Sequence, residues 1–190
     1  MKKLSELLEK IHKKAKKESN ISLGEIYSSF GRRAYGPFLF MVGLLILSPI
    51  GAIPGVGILA AIVSLLFSVQ FFFLPTPWMP DRILNIEIAS SKIEKMQKTS
   101  RPYIEKIEKY IKPRLTVITK EPFSYLTMSV VILVSISMAP VAPIPWGITL
   151  PALALMFIGI ASITHDGILM AIGYVFSAAS IYLIYFTLFS

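Results

Sequence analysis

The sequence contains no cysteine, which excludes disulfide bonds and thiolate metal ligands and removes one clue to the redox compartment. Histidine is rare, with two residues, and Asp166 is the only acidic residue after Glu121. There is no histidine pair, no second acid near Asp166 and no glycine-rich phosphate loop following a strand. We therefore expect no catalytic residues, no metal and no cofactor, and a protein that is not an enzyme.

Charge is also missing from three long stretches of the chain. No charged side chain occurs from Gly36 to Pro80, from Pro122 to Thr164, or after Asp166. Each stretch is longer than the roughly 20 residues that a helix needs to cross a bilayer. The sequence therefore predicts an all-α integral membrane protein.

The charges that are present give a formal net charge of +8. The basic residues lie before Gly36 and between Asp81 and Glu121. In a soluble protein such a balance would suggest a nucleic-acid partner. Between apolar segments it follows the positive-inside rule instead, so we expect both basic segments, including the N-terminus, in the cytoplasm and no nucleic acid as partner.

These alternations divide the chain into four regions. Residues 1–35 form a basic N-terminus, in which leucines and an isoleucine at helical spacing give either an amphipathic surface helix or a solvated, frayed segment. Within it, "SLGE" from Ser22 to Glu25 has the form of a capping box, so a helix is expected to start there. Residues 36–80 and 122–190 form two membrane regions, and residues 81–121 connect them.

Each membrane region contains two apolar segments separated by a break rich in proline and glycine. The breaks read "SPIGAIPGVG" (48–57) and "APVAPIPWGI" (139–148). Proline ends a helix and glycine permits a tight reversal, so each break predicts a hairpin turn. Because the segment from Pro37 to Leu47 is short for a full crossing, we expect re-entrant hairpins that turn inside the membrane, where protein or a water-filled cavity must cover the freed backbone.

The two breaks indicate an internal repeat. With Pro49 laid on Pro140, Ile53 and Pro54 fall on Ile144 and Pro145, and aliphatic residues continue in step. Paired broken segments in two halves of a membrane protein are typical of a binding site at the repeat interface. The alternative is that prolines are simply common at membrane turns, and the sequence leaves open whether the halves are inverted or parallel.

Two amphipathic helices are expected in the connector. Asp81 can cap a helix whose apolar side runs from Ile83 to Met96, and Pro102 can begin another that Pro113 ends. Neither is apolar enough to span, so we expect both at the cytoplasmic interface. Residues 168–189 then predict one C-terminal transmembrane helix.

The ordered set of motifs resembles the exopolysaccharide synthesis ExoD family. In the first half, the family's G-x-R-x-x-G falls on Gly31, Arg33 and Gly36, its Pro-Gly turn on Pro54 and Gly55, and its glutamine on Gln70. Its P-W-L-P falls on Pro77, Trp78 and Pro80, and its P-R-L on Pro113, Arg114 and Leu115. Its second proline-rich turn falls on Pro143, Pro145 and Pro151, and its D-G on Asp166 and Gly167. Met79 replaces a family leucine, and an asparagine often present in the second turn is absent, with Gly147 and Thr149 nearby. The resemblance implies an inner-membrane protein linked to exopolysaccharide production.

Candidate binding residues come from these motifs and from polar groups in the apolar regions. They are Arg32, Arg33, Arg114, Gln70, Asp166, and the turn residues Pro54, Gly55, Pro145, Gly147 and Thr149. The arginines could hold a phosphate or only set topology. Asp166 could be a functional intramembrane acid or the cap of the last helix. Gln70 should face protein, and Tyr35 and Trp78 fit an aromatic belt.

Three functions are compatible with these residues. The first is translocation of an anionic lipid carrier, such as a polyprenyl phosphate, between leaflets. The second is a non-catalytic accessory subunit of a polysaccharide synthesis or export complex. The third, ion or proton movement through Asp166, lacks a relay. The expected partners are membrane lipids, including a lipid phosphate, and either a homo-oligomer or the polysaccharide-synthesis machinery.

Overall fold

The computed structural model describes residues 20–30, 34–74, 78–90, 119, 123–142, 144 and 146–189. The N-terminal segment expected to be amphipathic and the connector helix expected at Pro102 lie outside these residues. The elements, in chain order, are β1 (Asn20–Ser22), α1 (Leu23–Phe30), α2 (Tyr35–Leu47), a 3₁₀ helix (Pro49–Ala52), α3 (Val56–Phe73), α4 (Asp81–Leu84), β2 (Glu87–Ala89), α5 (Phe123–Val141), α6 (Thr149–Thr164) and α7 (Gly167–Phe189).

The first hairpin consists of α2, turn 1 (residues 48–55) and α3. Helix α2 ends just before Pro49, which disfavours the helical conformation in the residue that precedes it. The Ser48 hydroxyl then accepts a hydrogen bond from the Ile50 amide at 3.3 Å and caps the 3₁₀ helix. Gly55, with φ of +90°, takes the left-handed conformation that starts α3, a conformation that glycine adopts without steric cost.

The second hairpin consists of α5, turn 2 (residues 142–148) and α6. Pro140 lies in the last turn of α5, and Trp146 has a φ of +63°. His165, with φ of +56°, ends α6 in the left-handed conformation, and α7 begins two residues later. The expected hairpins and the C-terminal helix are therefore present as helices, whereas a re-entrant path for the hairpins remains a prediction.

Each helix of one hairpin packs mainly against a helix of the other hairpin, an arrangement that we call partner exchange. Helix α2 runs antiparallel to α6, and α3 runs antiparallel to α5. Within the first hairpin, stacked rings of Phe38 and Phe67, with centroids 3.5 Å apart, join α2 to α3. Helix α7 covers α6 and α5 from the other side.

Both turns lie at the same end of the bundle. A Cβ placed on Gly57, in the first turn of α3, would lie 3.3 Å from the Ile148 side chain and 3.5 Å from that of Ala142. At the opposite end the Tyr35 ring packs edge-on against Phe71, and Tyr125 of α5 packs against the same phenylalanine. We call these the turn end and the connector end. The hairpins therefore point in the same direction.

Two glycines set the closest helix contact. A Cβ on Gly43 of α2 would lie 2.6 Å from the Ala152 carbonyl oxygen and 2.7 Å from the Met156 nitrogen. A Cβ on Gly159 of α6 would collide with the backbone of Phe40. Small residues of this kind let membrane helices approach backbone to backbone.

The connector differs from the sequence-based prediction. The helix that starts at Asp81 ends at Leu84, and Glu87–Ala89 forms a strand antiparallel to Asn20–Ser22. The isoleucine spacing fitted a helical face, but Ile88 is β-branched and pairs with Ile21 across the ribbon, where such residues pack well. The expectation of one long helix from Asp81 to Met96 is therefore wrong between Asn85 and Ala89.

The capping box at Ser22 is confirmed, since its hydroxyl accepts a hydrogen bond from the Glu25 amide at 3.2 Å. Helix α1 follows directly. Burial raises the pKa of Tyr27 in this helix well above its usual value, with a smaller contribution from Tyr35. Helix α1 packs against α4, since a Cβ on Gly24 would lie 3.2 Å from the Leu84 carbonyl oxygen.

Within the part of the chain that the structure describes, three helices are long and apolar enough to cross a membrane, namely Val56–Phe73, Phe123–Val141 and Gly167–Thr187. Helices α2 and α6 are apolar but shorter. Large aliphatic and aromatic side chains cover the outer faces of the bundle, as expected for contact with lipid. The expectation of a helical membrane protein is confirmed at this level. Tyr35 was expected as an interfacial anchor, but it is 1% exposed and belongs to the core.

Candidate functional site at the turn end

The N-terminus of α3 has no side-chain cap. Gly55 occupies the N-cap position, and no side chain accepts a hydrogen bond from the first turn. Gly55 and the preceding Pro54 are exposed, and no atom of the described residues lies within 4 Å of the place where a Gly55 side chain would point. The start of this helix is therefore open to a ligand.

The N-terminus of α6 also has no side-chain cap. Ile148 holds the N-cap position, and Thr149 begins the helix with its amide bonded to the Trp146 carbonyl at 3.0 Å. Gly147 donates its amide to the Ile144 carbonyl at 2.9 Å. Gly147 is buried, and a Cβ there would collide with the Val141 carbonyl oxygen, so the turn requires glycine at this position.

These two helix starts lie side by side. The first turn of α3 contacts Ile148, the residue that precedes α6, through Gly57. By contrast, side chains cap the starts of three other described helices: Ser22 caps α1, Ser48 caps the 3₁₀ helix and Asp166 caps α7. A helix N-terminus carries about half a positive charge, and no charged residue occurs in either apolar stretch to neutralise it. Two such ends together form a place that attracts an anion.

Gln70 and Asp166 lie at the connector end, away from this place. The Gln70 side-chain oxygen accepts a hydrogen bond from the Trp78 backbone amide at 2.6 Å, which ties the end of α3 to the chain that follows it. The Asp166 carboxylate accepts one from the Ile168 amide at 2.9 Å and is 5% exposed. Asp166 therefore caps α7, and Gln70 stabilises the turn that follows α3.

The structure thus brings together Pro54, Gly55, Gly147 and Thr149 and separates them from Gln70 and Asp166. Helix α3, with 18 residues, places about 27 Å between its two ends. Arg32, Arg33, Arg114 and Pro145 lie outside the described residues. A small ligand cannot contact the turn-end residues and Gln70 or Asp166 at the same time, whereas a long lipid can.

Buried hydroxyl groups join the helices between the two ends. Ser64 of α3 lies 2.9 Å from Ser135 of α5, and Ser137 of α5 lies 3.0 Å from Ser180 of α7. Near the connector end, Thr127 contacts the Tyr174 hydroxyl at 2.7 Å. Serine and threonine hydroxyls also bond to carbonyls of the preceding turn, so these buried groups are satisfied.

Sequence reasoning missed two features of the site. Gly36 and Gly43 on α2 lie seven residues apart, as do Ala152 and Gly159 on α6, and this spacing was the available signal for a close helix pair. Trp146 was not singled out, although it is one of the two tryptophans of the chain. Its left-handed backbone and its exposure could not have been read from the sequence.

Comparison with known proteins gives a family, two relatives and no solved structure. The family model described as "Exopolysaccharide synthesis, ExoD" matches residues 4–186. Protein ExoD of Rhizobium meliloti (strain 1021) is 28% identical over 164 residues, which cover 85% of this chain and 68% of that protein. An uncharacterized protein of Synechocystis sp. (strain ATCC 27184 / PCC 6803 / Kazusa) is 25% identical over 183 residues, or 93% of this chain and 83% of that one. No solved structure matches the chain.

Proposed function

Because the chain belongs to the exopolysaccharide synthesis ExoD family, we propose that it is an inner-membrane protein that moves an anionic lipid carrier, such as a polyprenyl phosphate, between leaflets. Polysaccharide synthesis on a lipid carrier requires that the carrier return to the cytoplasmic face. In this proposal the N-terminus and the connector end are cytoplasmic, as the basic residues indicate, and the turn end faces the other leaflet.

The observation that carries the proposal is the pair of uncapped helix starts at the turn end. Both helix starts present a positive dipole end to a phosphate. Val56 and Thr149 already donate their amides to Ile53 and Trp146, and Pro151 has no amide hydrogen. The donors for a phosphate are therefore the amides of Gly57, Ile58 and Leu150. The surroundings carry no charged side chain, so no fixed charge of the protein neutralises these helix ends or repels the anion there. A lipid phosphate fits because its headgroup is an anion and its tail can remain in the bilayer.

The outer faces of the hairpins suit the lipid tail. Near the turn end, α2 exposes Leu44, Leu45 and Leu47, and α3 exposes Ile58 and Leu59. A polyprenyl chain can lie along these faces without leaving hydrocarbon. At the opposite end, Ala34, the residue after Arg32 and Arg33, begins the helical region. In the proposal these arginines receive the phosphate in the cytoplasmic leaflet.

The test compares Thr149→Glu with Thr149→Gln in sealed vesicles that contain a fluorescent polyprenyl phosphate. A carboxylate in the first turn of α6 favours the helix but occupies the anion position, whereas the amide of equal size does not. We expect the glutamate variant to translocate about tenfold more slowly, which corresponds to about 1.4 kcal/mol. The glutamine variant should keep the wild-type rate.

Equal rates for both variants and wild type would remove the turn end from the mechanism. Arg33→Gln provides the second arm, because it changes the proposed cytoplasmic receiver without touching the turn end. Unchanged translocation in that variant would count against the role of Arg33. A wild-type rate equal to that of empty vesicles would overturn the proposal as a whole.

An accessory subunit of a polysaccharide synthesis complex is the second candidate, and the length of α3 and α5 favours it. Both helices are long enough to carry the turns across a membrane, as ordinary transmembrane hairpins do. Co-purification of a glycosyltransferase or polymerase at fixed stoichiometry would support this function. A stable assembly of this chain alone would argue against it.

A further inference from the structure

The tip of turn 2 holds a tryptophan that contacts little of its own protein. Trp146 is 86% exposed and has a φ of +63°, a conformation that costs a non-glycine residue energy. Hydrogen bonds on both sides fix it, from Thr149 to its own carbonyl and from Gly147 to that of Ile144. An indole held outward in this way has its apolar partner outside the chain.

Both turns at this end carry further exposed apolar side chains. Ile50 and Ile53 of turn 1 and Ile144 of turn 2 are exposed, and neither turn contains a charge. An exposed apolar patch of this kind is unstable in water and marks a contact surface. The outer faces of α2 and α3 next to the turns also expose large apolar side chains, and these are the faces that we expect lipid to cover.

Two tyrosines of α7 lie near the same level. The contact between Ser137 and Ser180 aligns α5 with α7. Val141, the last residue of α5, lies about one helical turn from that contact toward the turn end. Tyr182 and Tyr185 lie within about one and a half turns of the same contact, in the same direction along α7. Both tyrosines are exposed. Tryptophan and tyrosine side chains concentrate at the boundary between headgroups and acyl chains.

The other tryptophan lies at the opposite end. Trp78 is 63% exposed, and its backbone amide bonds to Gln70 in the last turn of α3. The two indoles are thus separated along the bundle by about the length of α3, roughly 27 Å. The hydrocarbon core of a bilayer is about 30 Å thick.

We infer that the turn end is a membrane-anchoring surface that lies at the headgroup boundary of the far leaflet, with Trp146 as its main anchor. Its occupant is the lipid interface, and neither a second copy of the chain nor bulk water covers it. The hairpins then cross the hydrocarbon, contrary to the re-entrant path that the short α2 segment suggested. This inference does not depend on the identity of any transported lipid.

Because the chain has two tryptophans, single substitutions isolate each indole. Trp78→Phe leaves Trp146 as the only tryptophan, and Trp146→Phe leaves Trp78 as the matched control. Each variant is reconstituted in phosphatidylcholine–phosphatidylglycerol vesicles that carry bromines at graded depths along the acyl chains, with iodide as the aqueous quencher. Circular dichroism verifies that both variants keep their helices.

We expect blue-shifted emission from Trp146 and several-fold stronger quenching by bromines near the headgroup than by bromines near the chain ends, as for Trp78. Maximal quenching by the deepest bromines would place the turn inside the membrane and overturn the inference. Strong quenching by iodide with little by bromines would place it in water, with the same consequence. Protection from both quenchers would mean that protein covers the tip, which also contradicts the inference.

Discussion

At the scale of single residues, Gly43 and Gly159 determine how closely α2 and α6 approach. The atoms that a Cβ on Gly43 would meet belong to the backbone of α6, and backbone atoms cannot move aside as the end of a side chain can. Interiors packed to this density respond to a single added methyl group. The two hairpins are therefore joined by contacts that require the absence of side chains.

We expect Gly43→Ala to destabilise the folded bundle by about 1–3 kcal/mol, because the added methyl group forces α2 away from α6. Gly57→Ala is the matched control, since its Cβ would meet only the side chains of Ile148 and Ala142 at 3.3 Å or more. Thermal unfolding in detergent measures both. Similar unfolding midpoints for the two variants would show that α2 and α6 are packed no more closely at Gly43 than α3 is against turn 2 at Gly57.

At the scale of elements, hydroxyl pairs link helices that are otherwise apolar. The Ser64 hydroxyl lies within hydrogen-bond distance of Ser135, whose own hydroxyl donates to the Val131 carbonyl at 2.8 Å. Both serines are fully buried. Hydrogen bonds between membrane helices contribute modestly, because the separated helices find other partners. The pair therefore aligns α3 with α5 more than it holds them together.

A double-mutant cycle on Ser64→Ala and Ser135→Ala should give a coupling energy of about 0.6 kcal/mol, and less than about 2 kcal/mol. Ser129→Ala is the control, since its hydroxyl bonds only to the Tyr125 carbonyl and its side chain is exposed. Unfolding by denaturant in mixed micelles measures the cycle. A coupling energy of zero would mean that the two hydroxyls do not interact in the folded protein.

The membrane helices could be predicted from the sequence because charge-free stretches and proline–glycine breaks are local signals. With Pro49 laid on Pro140, Phe73 at the end of α3 falls on Thr164 at the end of α6, whereas the other helix ends differ by two or three residues. The strand at Glu87–Ala89 escaped prediction because its pairing with residues 20–22 is distant in sequence. Of the site, Gly55 and Thr149 were predicted. The cap that Asp166 provides to α7 was one of the two alternatives that the sequence offered, because capping is a local interaction. The outward Trp146 depends on tertiary geometry.

At the scale of the whole molecule, the packing of each hairpin against the other shows how the two hairpins are oriented relative to each other, which the sequence left open. Exchanging one hairpin for the other converts the α2–α6 pair into the α5–α3 pair, and both turns stay at the same end. This packing corresponds to a parallel arrangement about an axis along the bundle rather than an inverted one. Common descent of the two halves from one repeat remains a prediction. The arrangement gathers two uncapped helix starts at one end.

Photo-crosslinking tests most directly whether a lipid phosphate binds at that end. A polyprenyl phosphate with a diazirine next to the headgroup is bound to the intact protein in vesicles, irradiated, and the adducts are located by mass spectrometry. We predict adducts within residues 48–57 and 142–150, competed by unlabelled polyprenyl phosphate but not by the neutral polyprenol. Adducts confined to the connector end, or equal competition by both lipids, would contradict the turn-end anion site.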